Sequence, residues 1–189
     1  MVNTKIIMRK CKGIDRMKAF VTGVGWQRGH DIVIELAKRG YEAIGSDIAN
    51  EYSGIQDESA ACTAPYYSLD ITDAEKVGKI IREVQPDVVF HCAAWTAVDL
   101  AEDEDKQAKV RAINVDGTQN IANVCQELSC KMIYLSTDYV FDGQGTDPWQ
   151  ADCKDYKPLN VYGQTKLAGE LAVARTISKY FIVSIAWVF

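Results

Sequence analysis

The sequence predicts an α/β protein: a doubly wound parallel sheet with helices on both faces. Three observations carry that reading. From Met17 onward, short apolar runs alternate with stretches of helical periodicity, the pattern of parallel strands joined by crossover helices. Two of those runs, at 87–91 and 131–135, are mostly apolar rather than alternating, as strands buried on both faces are. The first run enters a glycine-rich stretch and an acid closes the second, which is how sheets of this kind hold a nucleotide.

Residues 18–22 form the first strand, and 30–39 carry helical periodicity that ends at Gly40. Residues 41–46 read as a second strand and 66–69 as a short third. A helix follows at 73–84 with acids in its first turn, and Pro86 leads into the strand at 87–91. A long helix spans 106–128, then comes the strand at 131–135. From 142 to 158 Gly, Asp and Pro dominate with little periodicity, so this is a long loop, functional or mobile as such loops usually are. Residues 161–178 resume as helix and 180–189 form a last apolar strand. Residues 1–16 lack the long apolar core of a secretory signal and read as a disordered leader, which leaves 17–189 as one nucleotide-binding domain. Ile185-Ala-Trp-Val-Phe189 is core-like with no turn or cap behind it, so the expectation is a fragment ending on a core strand.

A net charge of −5 supplies no basic stripe and argues against nucleic acid. The one dense charge run, Ala101-Glu-Asp-Glu-Asp105, is acidic and reads as a solvated helix start. Six cysteines show no CxxC and no metal-ligand spacing. No metal is expected, and reduced thiols in a cytoplasmic protein are the better reading. No apolar stretch approaches the roughly 20 residues that span a bilayer, so no membrane partner is expected.

Thr22-Gly-Val-Gly-Trp-Gln-Arg-Gly29 lies between the first strand and the first helix. Glycines there let the chain turn tightly and let backbone N–H groups approach a pyrophosphate. Asp47 ends the second strand 24 residues after Gly23, placed to accept hydrogen bonds from an adenosine ribose. Glycines alone would mark any tight turn; with the acid at this spacing, nucleotide binding is favoured by about 5 to 1. A carboxylate repels a 2′-phosphate, which tilts the cofactor toward NADH over NADPH, with Arg28 as an offset. Thr137 precedes Tyr162-Gly-Gln-Thr-Lys166. Four apart on a helix, Tyr162 and Lys166 share a face, and a hydroxyl ending a neighbouring strand would bring three proton-handling groups to one carbonyl oxygen. Chance alone produces such a pair, so its weight comes from what surrounds it.

Six blocks add that weight: Thr22-Gly…Gly29, Ser68-Leu-Asp-Ile71, His91-Cys-Ala-Ala-Trp-Thr-Ala-Val-Asp99, Ile113-Asn-Val-Asp-Gly-Thr118, Ser136-Thr-Asp-Tyr-Val-Phe-Asp-Gly143 and Pro158-Leu-Asn-Val-Tyr-Gly-Gln-Thr-Lys-Leu-Ala-Gly-Glu170. With them the chain resembles the dTDP-4-dehydrorhamnose reductase family of extended short-chain dehydrogenases. The resemblance implies a Rossmann-type NAD(P)-binding domain that reduces the 4-keto group of dTDP-4-dehydro-L-rhamnose with NADPH or NADH. Carried over by position, Gly23, Trp26, Gln27, Arg28 and Gly29 would hold the pyrophosphate, Asp47 would face the ribose, and Asp70 and Ile71 the adenine. Ala93, Ala94 and Thr96 would line the nicotinamide side, with Leu135 under the ring. Tyr162 and Lys166 would be the catalytic pair, Lys166 also gripping the cofactor ribose. Thr137 and Asp138 would contact the sugar near its carbonyl, and Trp187 would pack on it. The partner is then a nucleotide sugar, with a homodimer left open.

Plainer readings stand beside these. Ala93, Ala94, Leu135 and Trp187 suit core packing, Asp70 suits the cap of the next helix, and Asn114 suits hydrogen bonding within its helix or the support of a proton-relay water. His30 and His91 have no partner at ligand spacing and read as structural. Two departures from the family matter. Trp26 stands where the family has its middle glycine, and a backbone at positive φ tolerates an indole poorly, so cofactor affinity below that of a Trp26→Gly revertant is expected. Trp and Gly codons differ by one base, which leaves sequence error open. Second, the part that supplies most of the family's substrate lobe is missing, which would leave the sugar site incomplete. The competing readings are a non-catalytic regulatory subunit like the β subunit of methionine adenosyltransferase, and a related epimerase or dehydratase. Retention of Thr137, Tyr162 and Lys166 favours the reductase.

Overall fold

A computed structural model describes residues 16–186. All of the predicted leader but Arg16 and the final residues 187–189, with the predicted substrate contact Trp187, lie outside the described residues. Six strands, β1 (Lys18–Thr22), β2 (Glu42–Asp47), β3 (Tyr66–Ser68), β4 (Val88–His91), β5 (Lys131–Thr137) and β6 (Tyr180–Ile185), form one sheet in the order β3-β2-β1-β4-β5-β6. Every neighbouring pair is parallel. The chain winds outward from β1 in one direction and from β4 in the other. The crevice between their carboxyl ends is the switch point at which such sheets bind ligands.

Strand alternation distributes the core between two layers. Phe20, Val89, Met132 and Tyr134 point to one face, under α3 (Ala74–Val84), α5 (Thr118–Leu128) and α6 (Val161–Thr176). Ala19, Val21, Ala43 and Val88 point to the other, under α1 (Gln27–Lys38) and the four-residue α2 (Ala60–Thr63). Among the described residues, no helix is long and apolar enough to cross a membrane.

Local chemistry sets the helix ends. Asp73 caps α3 by accepting from the Lys76 amide (2.9 Å), and Asn160 caps α6 by accepting from that of Gly163 (2.7 Å). Helix α1 starts three residues earlier than the periodicity predicts, because the turn closes at once: the His30 amide already donates to the Trp26 carbonyl (3.1 Å). The predicted helix at 106–128 is interrupted. It comprises α4 (Glu104–Arg111), a π-helical turn at Ala112–Gly117, and α5. The extra residue in that turn directs Asn114 inward, and such bulges recur at functional sites. Strand β5 runs two residues past its predicted end and so delivers Thr137 at its tip.

Candidate functional site

The turn after β1 is shaped by close backbone contacts. Gly23 has φ 76°, and a Cβ there would lie 2.7 Å from the Ala93 nitrogen. A Cβ on Gly29 would collide with the Gly23 carbonyl oxygen. Only glycine lets the β1 turn, the β4 loop and the first turn of α1 approach this closely. Asp47 braces the turn from β2, one carboxylate oxygen accepting from the Gly25 amide (2.9 Å) and the other from that of Ile48 (2.7 Å).

Beside this turn lies a cavity of about 240 Å³. Of the predicted cofactor residues, Gly23, Trp26, Asp47, Asp70, Ile71, Ala93 and Ala94 all line it. Gln27 and Gly29 open α1 behind it. Thr96 is exposed and not part of its wall. Arg28 and Leu135 are brought together elsewhere, lining a second cavity with Ile32 and Ile185. Sequence reasoning missed Leu69, Lys109, Ala112 and Ile113, which also line the first cavity. The last three share a face at i, i+3 and i+4, a signal visible only once that helix is known to border the site. Apolar walls for a base, acids at the rim and a glycine cradle that a Cβ would fill suit a dinucleotide.

Two expectations are corrected here. Asp70 is not the helix cap: its carboxylate accepts from the Thr72 amide and hydroxyl (2.9 and 2.8 Å), and Asp73 caps α3. Trp26 carries no positive φ. At φ −112° it is extended, and its indole is 74% exposed at the cavity mouth, so the backbone strain expected of a non-glycine residue there does not arise.

Across the crevice, Thr137 ends β5, its hydroxyl donating to Asp138 (3.1 Å) and accepting from the Tyr139 amide (3.2 Å). Tyr162, in the first turn of α6, is half-buried with the Tyr139 ring edge-on at 5.7 Å. Burial raises the Tyr162 phenol above its ordinary pKa, the nearby Thr137 hydroxyl opposes that rise, and the charges of Asp138 and Tyr139 add to it. Thr137 and Tyr162 therefore meet as predicted. Lys166 is not placed against Tyr162. It shares the helical face of Tyr162, but its ammonium donates to the Leu135 carbonyl (2.7 Å) and sits 4.1 Å from the centre of the Tyr134 ring. Burial holds its pKa down to about 7, against the opposing pull of Glu170 and Cys92. The group that tempers the Tyr162 phenol in this arrangement is Thr137.

A buried polar chain joins the two halves. Thr165 donates to the Tyr162 carbonyl (2.9 Å) and accepts from Asn114 Nδ2 (3.1 Å). Asn114 also ties down the β4 loop, accepting from the Trp95 amide (2.8 Å) and donating to the Trp95 carbonyl (3.2 Å). Thr118 donates to the Asn114 carbonyl (2.8 Å), so toward His91 Nε2 (3.1 Å) it acts as acceptor. That places the His91 proton on Nε2 and leaves Nδ1 to accept from Thr22 (2.9 Å). Thr22 Oγ1 in turn accepts from the amides of Cys92 and Ala93 (3.2 and 3.1 Å). Burial, then the charge of Lys166, push the His91 pKa down to about 3, so the ring is neutral. His91 is structural, as expected, and links the glycine turn to the start of α6. His30 is not without partners: Nδ1 lies 2.6 Å from the Tyr52 hydroxyl and Nε2 3.2 Å from Asp57.

A family model described as RmlD substrate binding domain matches residues 17–189. The dTDP-4-dehydrorhamnose reductase of Escherichia coli K12 is 41% identical over 123 residues, covering 65% of this chain and 40% of that protein. The Mycolicibacterium smegmatis protein of the same name is 35% identical over 170 residues, covering 89% of this chain and 45% of that protein. The crystal structure of dTDP-4-dehydrorhamnose reductase from Bacillus anthracis in complex with NADP superposes with a TM-score of 0.78 at 32% identity, covering 92% of this chain and 55% of that one. The chain thus spans under half the length of these two curated relatives.

Proposed function

The chain belongs to the RmlD substrate binding domain family, and from that premise we propose that its site reduces a ketone of a nucleotide sugar, the 4-keto group of dTDP-4-dehydro-L-rhamnose. The observation that carries the reading is the meeting of Thr137 and Tyr162 at the carboxyl edge of the sheet, across the switch point from a glycine-cradled cavity. A reduced nicotinamide dinucleotide, NADPH or NADH, would supply the hydride when bound. Gly23, Gln27 and Gly29 would hold its pyrophosphate, Asp47 its ribose, and Ile71 with Leu69 its adenine. Reduction leaves negative charge growing on the carbonyl oxygen, and a donor aimed at that oxygen lowers the barrier. The raised pKa of Tyr162 keeps its proton in place at neutral pH, ready to be given to that oxygen. Thr137 and Asp138 would hold the sugar beside it. The two acids Asp47 and Asp70 outnumber the single cation Lys109 on the cavity wall, which favours NADH, as the sequence suggested. A homodimer and a cytoplasmic location belong to the same reading.

One observation favours a second reading, dinucleotide binding without turnover: the Lys166 ammonium is engaged with Leu135 and Tyr134 rather than with Tyr162. Oxidation of NADPH or NADH by dTDP-4-dehydro-L-rhamnose, followed at 340 nm, separates the two. Whatever turnover the wild-type chain shows should fall at least about 100-fold in Tyr162→Phe, with nucleotide affinity nearly unchanged. Nucleotide binding with no oxidation in the wild type points to the binder, and equal rates in the two proteins overturn the assignment of Tyr162.

A further inference from the structure

Among the described residues only two Asp, Glu, Lys or Arg side chains are buried, Lys166 and Glu170, each 4% exposed. They stand four apart on α6, on one helical face. The glycine between them admits the Tyr134 hydroxyl, which would lie 2.5 Å from a Cβ at Gly169. That hydroxyl donates to the Lys166 carbonyl (3.3 Å), and the ring carries the ammonium on its face. Glu170 Oε1 is buried with no aligned hydrogen-bond partner, and so is the Ser136 hydroxyl. The serine is nonetheless near enough to favour the carboxylate form of Glu170. A lone buried charge is costly, and the usual remedies are neutralisation or an opposite charge. Each of these residues is the other's only buried countercharge.

We propose that Glu170 is a positioning residue for Lys166: a countercharge one helical turn deeper that favours the charged ammonium inside an apolar layer. The resemblance gives Lys166 a role only as a cation, gripping a cofactor ribose, so its charge in a buried place has to be maintained from within. The titratable groups around it are Tyr162 and Glu170 on its own helix, His91 and Cys92 from β4 and the loop after it, and Tyr134 from β5. Arg28 reaches Cys92 from α1. His91 is neutral, and burial pushes the Cys92 thiol up to about 12 and the Tyr134 phenol higher still. That leaves Glu170 as the one buried group able to carry negative charge near pH 7. Burial raises its pKa, and Ser136 and Lys166 bring it back down.

The role of the lysine rests on the reading given under Proposed function; the charge coupling does not, and the two are tested apart. Protein labelled with 13C at lysine Cε, with the Lys166 resonance assigned from Lys166→Met, reports the titration of that one amine. The expected midpoint is about 7 in the wild type and lower by about one pH unit or more in Glu170→Gln. A smaller drop is expected in Ser136→Ala, and partial recovery in Glu170→Asp. An unchanged midpoint in Glu170→Gln overturns the proposal. Should that variant not fold, an unchanged midpoint in Ser136→Ala does so. Alongside, NADH and NADPH are each titrated into every variant by tryptophan fluorescence. Weaker binding of Glu170→Gln at pH 7, converging on the wild type near pH 5, is the result a merely structural glutamate would not give. Absence of NADH and NADPH binding in every protein, wild type included, removes the functional reading and leaves the lysine titration to decide.

Discussion

On one face of the sheet Phe20, Val89, Met132 and Tyr134 disappear beneath α3, α5 and α6. On the other, α1 and α2 cover β1 and β2 and leave Phe181 69% and Val183 41% exposed on β6. The two faces also divide the chemistry. Tyr162 and Lys166 stand on a helix of the sealed face, where burial moves both pKa values. The glycine turn, which leads into α1, works through backbone amides and close contacts. A cradle of amides needs shape and little burial, whereas tuning a phenol and an amine needs a dry layer with few polar partners. The sealed face is therefore where stability and the titration of Tyr162 and Lys166 are coupled.

Large-to-small substitution tests this most strongly. Ile121, fully buried on α5 among the sealed-face residues, should cost about 2–5 kcal/mol as Ile121→Ala. Phe181→Ala, with the ring already exposed, should fall within about 0.5 kcal/mol of the wild type. Urea unfolding midpoints of the two variants measure the difference, and similar losses would mean that the second face is closed in solution.

Much of this division was legible in advance. The apolar run at β4 and the acid closing β2 are local signals, and each landed where its chemistry required, whereas the cap fell to Asp73 and not to Asp70. Thr137 and Tyr162 were also legible, through the two blocks that carry the resemblance, although periodicity ended β5 two residues short of Thr137. The rest depended on contacts between distant residues. The π-helical turn follows from Asn114 reaching Trp95 and Thr165, partners 19 and 51 residues away that no periodicity encodes. The retraction of Lys166 onto Leu135 and Tyr134 depends on how deeply α6 packs, which spacing on one helix cannot report. Trp26 illustrates the converse: the sequence marked a glycine position, and the backbone there proved extended.

The two buried charged residues of α6 offer the next test of the coupling. The folded pKa of Lys166 is about 7, against 10.5 for a free lysine. A lysine with a lowered folded pKa costs stability in full below pH 7. The cost fades from pH 7 to 10.5, where only the unfolded chain holds the proton. Wild-type stability should therefore rise with pH across that window through this residue. Replacing both members, as Lys166→Met with Glu170→Leu, removes two desolvation costs together and should stabilise the fold by about 1–4 kcal/mol at pH 7. The slope attributable to the lysine should vanish with it. A double variant less stable than the wild type at pH 7 would mean that the pair holds the sealed face together rather than burdening it.

The smallest effect is expected beside α1, where Asp57 belongs to a loop pinned at the surface. Its carboxylate accepts from the Ser59 amide (3.1 Å) and from the Cys62 thiol (3.5 Å), and it lies 3.2 Å from His30 Nε2. Hydrogen bonds with Ser59, more than those with Cys62 and His30, hold its pKa down to about 2. A carboxylate with a depressed folded pKa contributes stability above its unfolded value of 3.8, and the contribution is lost as pH falls toward 2. The Ser59 amide resonance should therefore move with a midpoint near pH 2 in the wild type and stay flat in Asp57→Asn. Because the loop is exposed, the unfolding midpoint at pH 7 should barely differ between the two proteins. A large loss of global stability in Asp57→Asn would mean that this loop closes the α1 face as firmly as α5 closes the other.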